Sequence, residues 1–247
     1  MFLNEPANTQ ADLKFRLLGI PVRVSPLFWV VAFLLHIGGR EGVQPIDMLA
    51  WVAAVFVSVV IHEMGHALTA RRFGHRPWIT LHGMGGLASY NSSHDSVGTR
   101  LKILAAGPGA GFVCAALEIG VFLAFGGQLI FMWYVVPFAS MPFHVPQFVG
   151  SFLFYLLYVN IVWGLFNLLP VYPLDGGQMT RVVWVKYNPW EGIRKSLILS
   201  IMVCIFMAIS SLMEKNMFMV VMFGMMGYNN YQEYMAQAHG DYGNRWQ

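Results

Sequence analysis

VVIHEMGHALTARRFGH, residues 59–75, runs from apolar residues straight into two histidines, a glutamate and a pair of arginines. Its first three residues end one of six apolar runs, at 27–37, 48–61, 103–125, 148–169, 197–213 and 217–227. A helix rises about 1.5 Å per residue and a bilayer's hydrocarbon core is about 30 Å thick, so the third and fourth runs span it unaided. The first and last need flanking residues to reach. The chain has 247 residues, 57% hydrophobic and only 11% charged. Soluble domains average about 25% charged residues, which assigns this chain to lipid. The expected fold is an all-α polytopic membrane protein of about six transmembrane helices.

The charges orient it. With the amino terminus in the cytoplasm, only Arg40 and Lys215 of the fifteen Lys and Arg residues fall outside. That is a strong positive-inside bias, and it predicts that both termini are cytoplasmic. Because the basic residues sort by membrane side, the net charge of +3 is no sign of nucleic-acid binding. Residues 126–148 are apolar and aromatic, but an extra crossing there would put Arg181, Lys186, Arg194 and Lys195 outside. Pro137, Pro142 and Pro146 also break any continuous helix. The segment is therefore expected to be an external loop on or in the interface. Residues 1–20 carry no signal-peptide pattern and read as a polar tail with a short amphipathic end. Cys114 and Cys204 lie in separate apolar runs and read as small core hydrophobes. With no repeat or polar linker, one membrane domain is expected over 1–247.

His62 and His66, four residues apart, project from one helix face one turn apart, the spacing by which a helix offers zinc two imidazoles. Glu63, about 100° round the helix, can serve a metal-activated water as general base. Arg71 marks the cytoplasmic end of the span and puts the pair roughly 7–14 Å below it at about 1.5 Å per residue. A chance H-E-x-x-H explains the pattern poorly at membrane depth, where ionisable residues are costly and usually functional. His36 and His144 fall on the external side, His239 in the tail, and His75, His82 and His94 after the second span. These read as interfacial or solvated, with His82 kept as a further candidate because its loop can fold back.

The better third ligand lies in FNLLPVYPLDGGQMTR, residues 166–181, where the fourth span ends on the same side as His66. Pro170 and Pro173 interrupt the helix, and backbone freed at that depth must be buried in protein or line a wet cavity. Asp175 follows, then Gly176 and Gly177. Alone, Asp175 would read as a cap of a helix from Gly176 to about Lys186. With the histidines on the same membrane face, the expected donor set is His62, His66 and Asp175. A downstream glutamate ligand is the alternative, Glu118 being its test case.

H-E-x-x-H in one span, with N-x-x-P-x-x-P-L-D-G-G ending a later one, resembles the site-2 protease family of zinc intramembrane metalloproteases, and its compact sporulation-factor-processing branch in particular. GIPVRVSPLFW (19–29) and ITLHGMGGLASY (79–90) are similar to that branch as well. The resemblance implies a three-span catalytic core within about residues 46–190, without PDZ or CBS domains. It implies one Zn2+ per chain held by His62, His66 and Asp175, with Glu63 as catalytic base. Asn167 would hold substrate or the oxyanion. The 79–90 loop, through Gly85 and Gly86, would form a membrane-embedded hairpin whose edge receives an unwound transmembrane protein substrate. The implied location is the cell (inner) membrane. Met84 stands where relatives often have proline, and Gly111 where the stretch around AAGPGAGF (105–112) usually ends in asparagine.

Two rival classes fit the sequence less well. An inactive scaffold binding a membrane partner has no need of Glu63, and a metal transporter would carry ionisable residues along spans five and six, which lack them within the apolar runs. Glu118 is placed near the outer interface, reaching headgroups or water. The nine methionines from Met202 to Met235 are expected to fill the core of the last two helices.

Overall fold

The computed structural model describes residues 8–37, 44–83, 85–91, 95–132, 136–140, 145–189 and 191–238. Arg40, Met84, His94, Pro142, His144, His239 and Arg245, all used in the sequence reading, lie outside them. Helices α1 (Pro26–Ile37), α2 (Pro45–Arg72), α3 (Val97–Ala124), α4 (Gln147–Asn167), α5 (Asp175–Tyr187), α6 (Gly192–Met213) and α7 (Met217–Ala238) dominate. Four of them, α2, α3, α4 and α6, are long and apolar enough to cross a membrane. The 12 residues of α1 rise only about 18 Å, short of a crossing.

The chain divides into two compact units, one of Glu5–Ser93 with Ala105–Leu165, the other chiefly of His94–Leu104 with Phe166–Gln247. In the first unit, strands β1 (Leu13–Leu17), β2 (Ile20–Val24), β3 (Trp78–His82) and β4 (Gly85–Ser89) form a sheet in the order β1-β2-β3-β4. The β2–β3 pairing is parallel and the other two are antiparallel. Alternation in IPVRV turns Ile20, Val22 and Val24 to one face, beside Ile79 and Leu81 of β3. That row packs with Phe28 and Ala32 of α1 and with Val55, Val59, Met64 and Ala67 of α2. The sheet thus lies against the helix that carries the histidines.

Three expectations change here. Part of the presumed amino-terminal tail is strand β1. Within segment 126–148, β5 (Leu129–Met132) and β6 (Val136–Ala139) pair antiparallel rather than forming a plain loop, which agrees with the absence of a crossing. His36 is buried, stacked on Trp51 at 5.3 Å and edge-on to Tyr155, so it is an aromatic core residue rather than a solvated one.

α2 begins with Pro45 at the position where a missing N–H costs nothing, with Asp47 in its first turn and Arg71 and Arg72 in its last. Both charges suit the helix dipole. Arg71 donates to Leu18 O at 2.7 Å, tying the end of α2 to the β1–β2 turn. In the second unit, Val171, Leu174, Cys204, Phe223 and Met226 form a core, with Met207, Met219 and Met222 against it. Those methionines and Cys204 fill space as expected.

Candidate metal centre

His62 and His66 are both buried, with relative exposures of 4% and 7%, and their Nε2 atoms stand 3.2 Å apart. Two imidazole nitrogens held tetrahedrally at the usual zinc distance of about 2.0–2.1 Å are themselves about 3.3–3.4 Å apart. The helical i, i+4 spacing therefore supplies a zinc-sized bite with no help from elsewhere.

The flanking elements can approach because three positions lack a side chain. A Cβ on Gly107 of α3 would lie 2.1 Å from His66 Nε2, and one on Gly65 would lie 2.2 Å from Ala106 O. A Cβ on Gly86 of β4 would meet Glu63 at 2.4 Å, so the edge strand's backbone lies directly on the glutamate side chain. Gly85, its neighbour, faces Trp163 instead, at 3.0 Å. Glu63 is itself buried, at 5% exposure.

Asp175 opens α5 and is buried. Leu174, not Asp175, occupies the cap position, which removes the plain capping explanation for the aspartate. His62, His66 and Asp175, all buried, are residues that could hold a metal ion. Two imidazoles and a carboxylate are also the kind of three-donor set a catalytic zinc takes, leaving one position open. The donors present fit zinc.

The remaining candidates are not in that group. His82 sits on β3, where burial and then the charge of Arg23 hold its imidazole below the usual histidine range. His75 packs on Tyr90. Asn167 is the last residue of α4 and is buried. Glu118 departs from expectation. Both its carboxylate oxygens are buried without a hydrogen-bond partner among the described residues, rather than reaching outward. It lies one turn beyond Cys114, on which Asn160 of α4 places its amide at 3.8 Å. Gly111 faces the same asparagine, and a Cβ there would lie 3.2 Å from its backbone oxygen. The sequence reading missed Gly107 as a site residue. Its signal, a small-residue run through AAGPGAGF, indicates close packing but not which partner it packs against.

Two buried histidines one helical turn apart, with a buried glutamate between them on the same helix, are a donor pattern suited to a metallohydrolase. Residues 50–209 match the model of peptidase family M50. The chain belongs to that family, which agrees with the site-2 protease resemblance of its motifs, and it is an integral membrane protein. It is 29% identical over 176 residues to a zinc metalloprotease of Methanocaldococcus jannaschii, covering 70% of this chain and 45% of that protein. A Synechocystis protein is 29% identical over 191 residues, covering 72% of this chain and again 45% of the relative. The chain thus spans about half the length of these curated relatives. The solved site-2 protease of M. jannaschii shares the fold, with a TM-score of 0.57 at 23% identity over 90% of this chain and 95% of that one.

Proposed function

We propose that this chain is a zinc-dependent intramembrane endopeptidase that cuts a transmembrane protein near the cytoplasmic face of the cell membrane, with both its termini in the cytoplasm. The observation that carries the reading is the backbone of Gly86 lying on Glu63, which sets the strand that ends the sheet among the described residues beside a buried carboxylate. His62, His66 and Asp175 would hold one zinc ion. When bound, zinc supplies Lewis-acid polarisation of water and of a peptide carbonyl.

The chain's own residues do the rest. Glu63 takes the proton of the attacking water and delivers it to the departing amine, a role suited to a carboxylate fixed by packing. β4 ends the sheet, so its outer edge is available to pair with an extended substrate strand. A substrate helix must first unwind to offer that strand, which favours Gly or Pro near the cut. Asn167, buried at the end of α4, would hold the substrate backbone or donate to the developing oxyanion.

The test is Glu63→Gln in the full chain, purified and reconstituted with a single-span substrate. Loss of a general base typically costs about 10²–10⁴ in rate, and zinc content should stay at one per chain. Cleavage at the parent rate would refute the assignment of the base.

A further inference from the structure

The backbone around Asp175 is irregular, and its polar groups are satisfied by side chains from helices outside the histidine-bearing core. Between α4 and α5, Val171 N–H reaches Leu169 O at 2.7 Å and Leu174 N–H reaches Val171 O at 2.8 Å. Gln178 donates its side-chain amide to Pro173 O at 3.0 Å. Tyr172 lies between the two prolines and is reached from further along the chain. Its N–H donates to Ser200 Oγ of α6 at 3.0 Å. Its carbonyl accepts from Asn230 Nδ2 of α7 at 2.6 Å.

Both side chains are almost wholly buried, Ser200 at 1% and Asn230 at 2% exposure. The second N–H of the Asn230 amide goes to Met226 O at 2.8 Å. Both of its partners are carbonyls, so the nitrogen's position in the amide is fixed by its surroundings. The Ser200 proton has Pro170 O at 3.2 Å and Ser196 O at 2.9 Å as acceptors. Arg181 of α5 lies over the Tyr172 ring at 3.7 Å and pairs with Glu233 of α7 at 2.9 Å. One tyrosine is therefore held at its N–H, its C=O and its ring.

We infer that Ser200 and Asn230 are positioning residues that fix the Tyr172 backbone and, three residues on, the carboxylate of Asp175. The inference rests on Asp175 being a metal ligand. Buried amides and hydroxyls are costly unless they have partners, and here the partners include backbone groups of the loop before Asp175. Ser200 lies within the residues that match the family model, whereas α7 and its Asn230 lie beyond them. The mechanism is that of outer partners which orient metal ligands, whose loss typically costs about 10–100-fold in metal affinity.

The experiment measures zinc release from the full-length, zinc-loaded protein in detergent, using an excess of a chromogenic chelator, with thermal melting in parallel. Asn230→Leu and Ser200→Val should release zinc roughly tenfold faster or more. Ser200→Thr, which keeps the hydroxyl, should stay near the parent rate. Cys204→Ala loosens the same helix pair without touching loop polar groups, and should lower the melting temperature while leaving release unchanged. If Asn230→Leu does not fold, the Ser200→Val and Ser200→Thr pair carries the test. Parent-rate release from the folded Leu and Val variants, alongside zinc loss in Asp175→Ala, would overturn the clamp and leave the ligand reading standing. Equal acceleration by Cys204→Ala would overturn it as a general packing effect. Full zinc retention by Asp175→Ala would overturn the ligand reading and the clamp together.

Discussion

The histidine helix and the aspartate loop would present the proposed ligands by opposite means. On α2, one helical turn fixes the separation of the two Nε2 atoms, and the neighbours need only stay out of the way, which Gly65, Gly86 and Gly107 ensure. The segment from Leu168 to Leu174 has no such internal template. Two prolines remove donors, two glycines let α5 sit on the loop backbone, and side chains from two further helices complete it. Regular structure carries its own geometry, whereas irregular structure must be given it by the surroundings.

That contrast can be broken in a graded way. The largest effect is expected from Gly107→Ala, whose methyl would stand 2.1 Å from His66 Nε2. It should abolish zinc binding while helix content by circular dichroism is kept, since α2 itself is untouched. Zinc retained at one per chain would mean that α2 and α3 can part, and that the helix side is not rigid. Gly177→Ala comes next. Its Cβ would lie 2.3 Å from backbone atoms of Val171 and Tyr172, which cannot yield as a side chain can. Overpacking of this kind costs about 1–3 kcal/mol, so a lowered melting temperature with faster zinc release is expected. The smallest effect is expected for Lys195→Ala. The Glu191–Lys195 pair on α6 is 2.7 Å long but more than half exposed at both ends, and such pairs contribute little. Its removal should change neither melting nor zinc release. A measurable change in release would show that α6 acts on the loop through more than Ser200.

The helical side of the site was readable in the sequence because its information is local. Four-residue spacing defines the histidine pair, and apolar runs define the helices around it. Asp175 needed a second motif and the charge map to connect it to that pair. What stayed hidden depends on partners distant in the chain. β1 and β2 are five residues each, too short for their alternation to stand out, and the parallel pairing of β2 with β3 joins residues more than fifty positions apart. The last apolar run was bounded at residue 227, so the helix continuing to Ala238, with Asn230 and Glu233 on it, went unread. The helix-forming residues that follow the apolar run without a Gly or Pro break, from Tyr228 to Ala238, are the signal that could have found it. Glu118 was placed by depth alone, and depth does not say which way a side chain turns.

Gly85 and Gly86 present opposite faces, one to Trp163 and the other to Glu63, as successive residues of a strand must. A guest strand laid along β4 inherits that two-residue rhythm. Its side chains would be read in alternation, every second one turned toward the glutamate and the intervening ones toward the indole. Sequence preference around the cut should therefore have a period of two, with neighbouring positions screened against different surfaces of the enzyme.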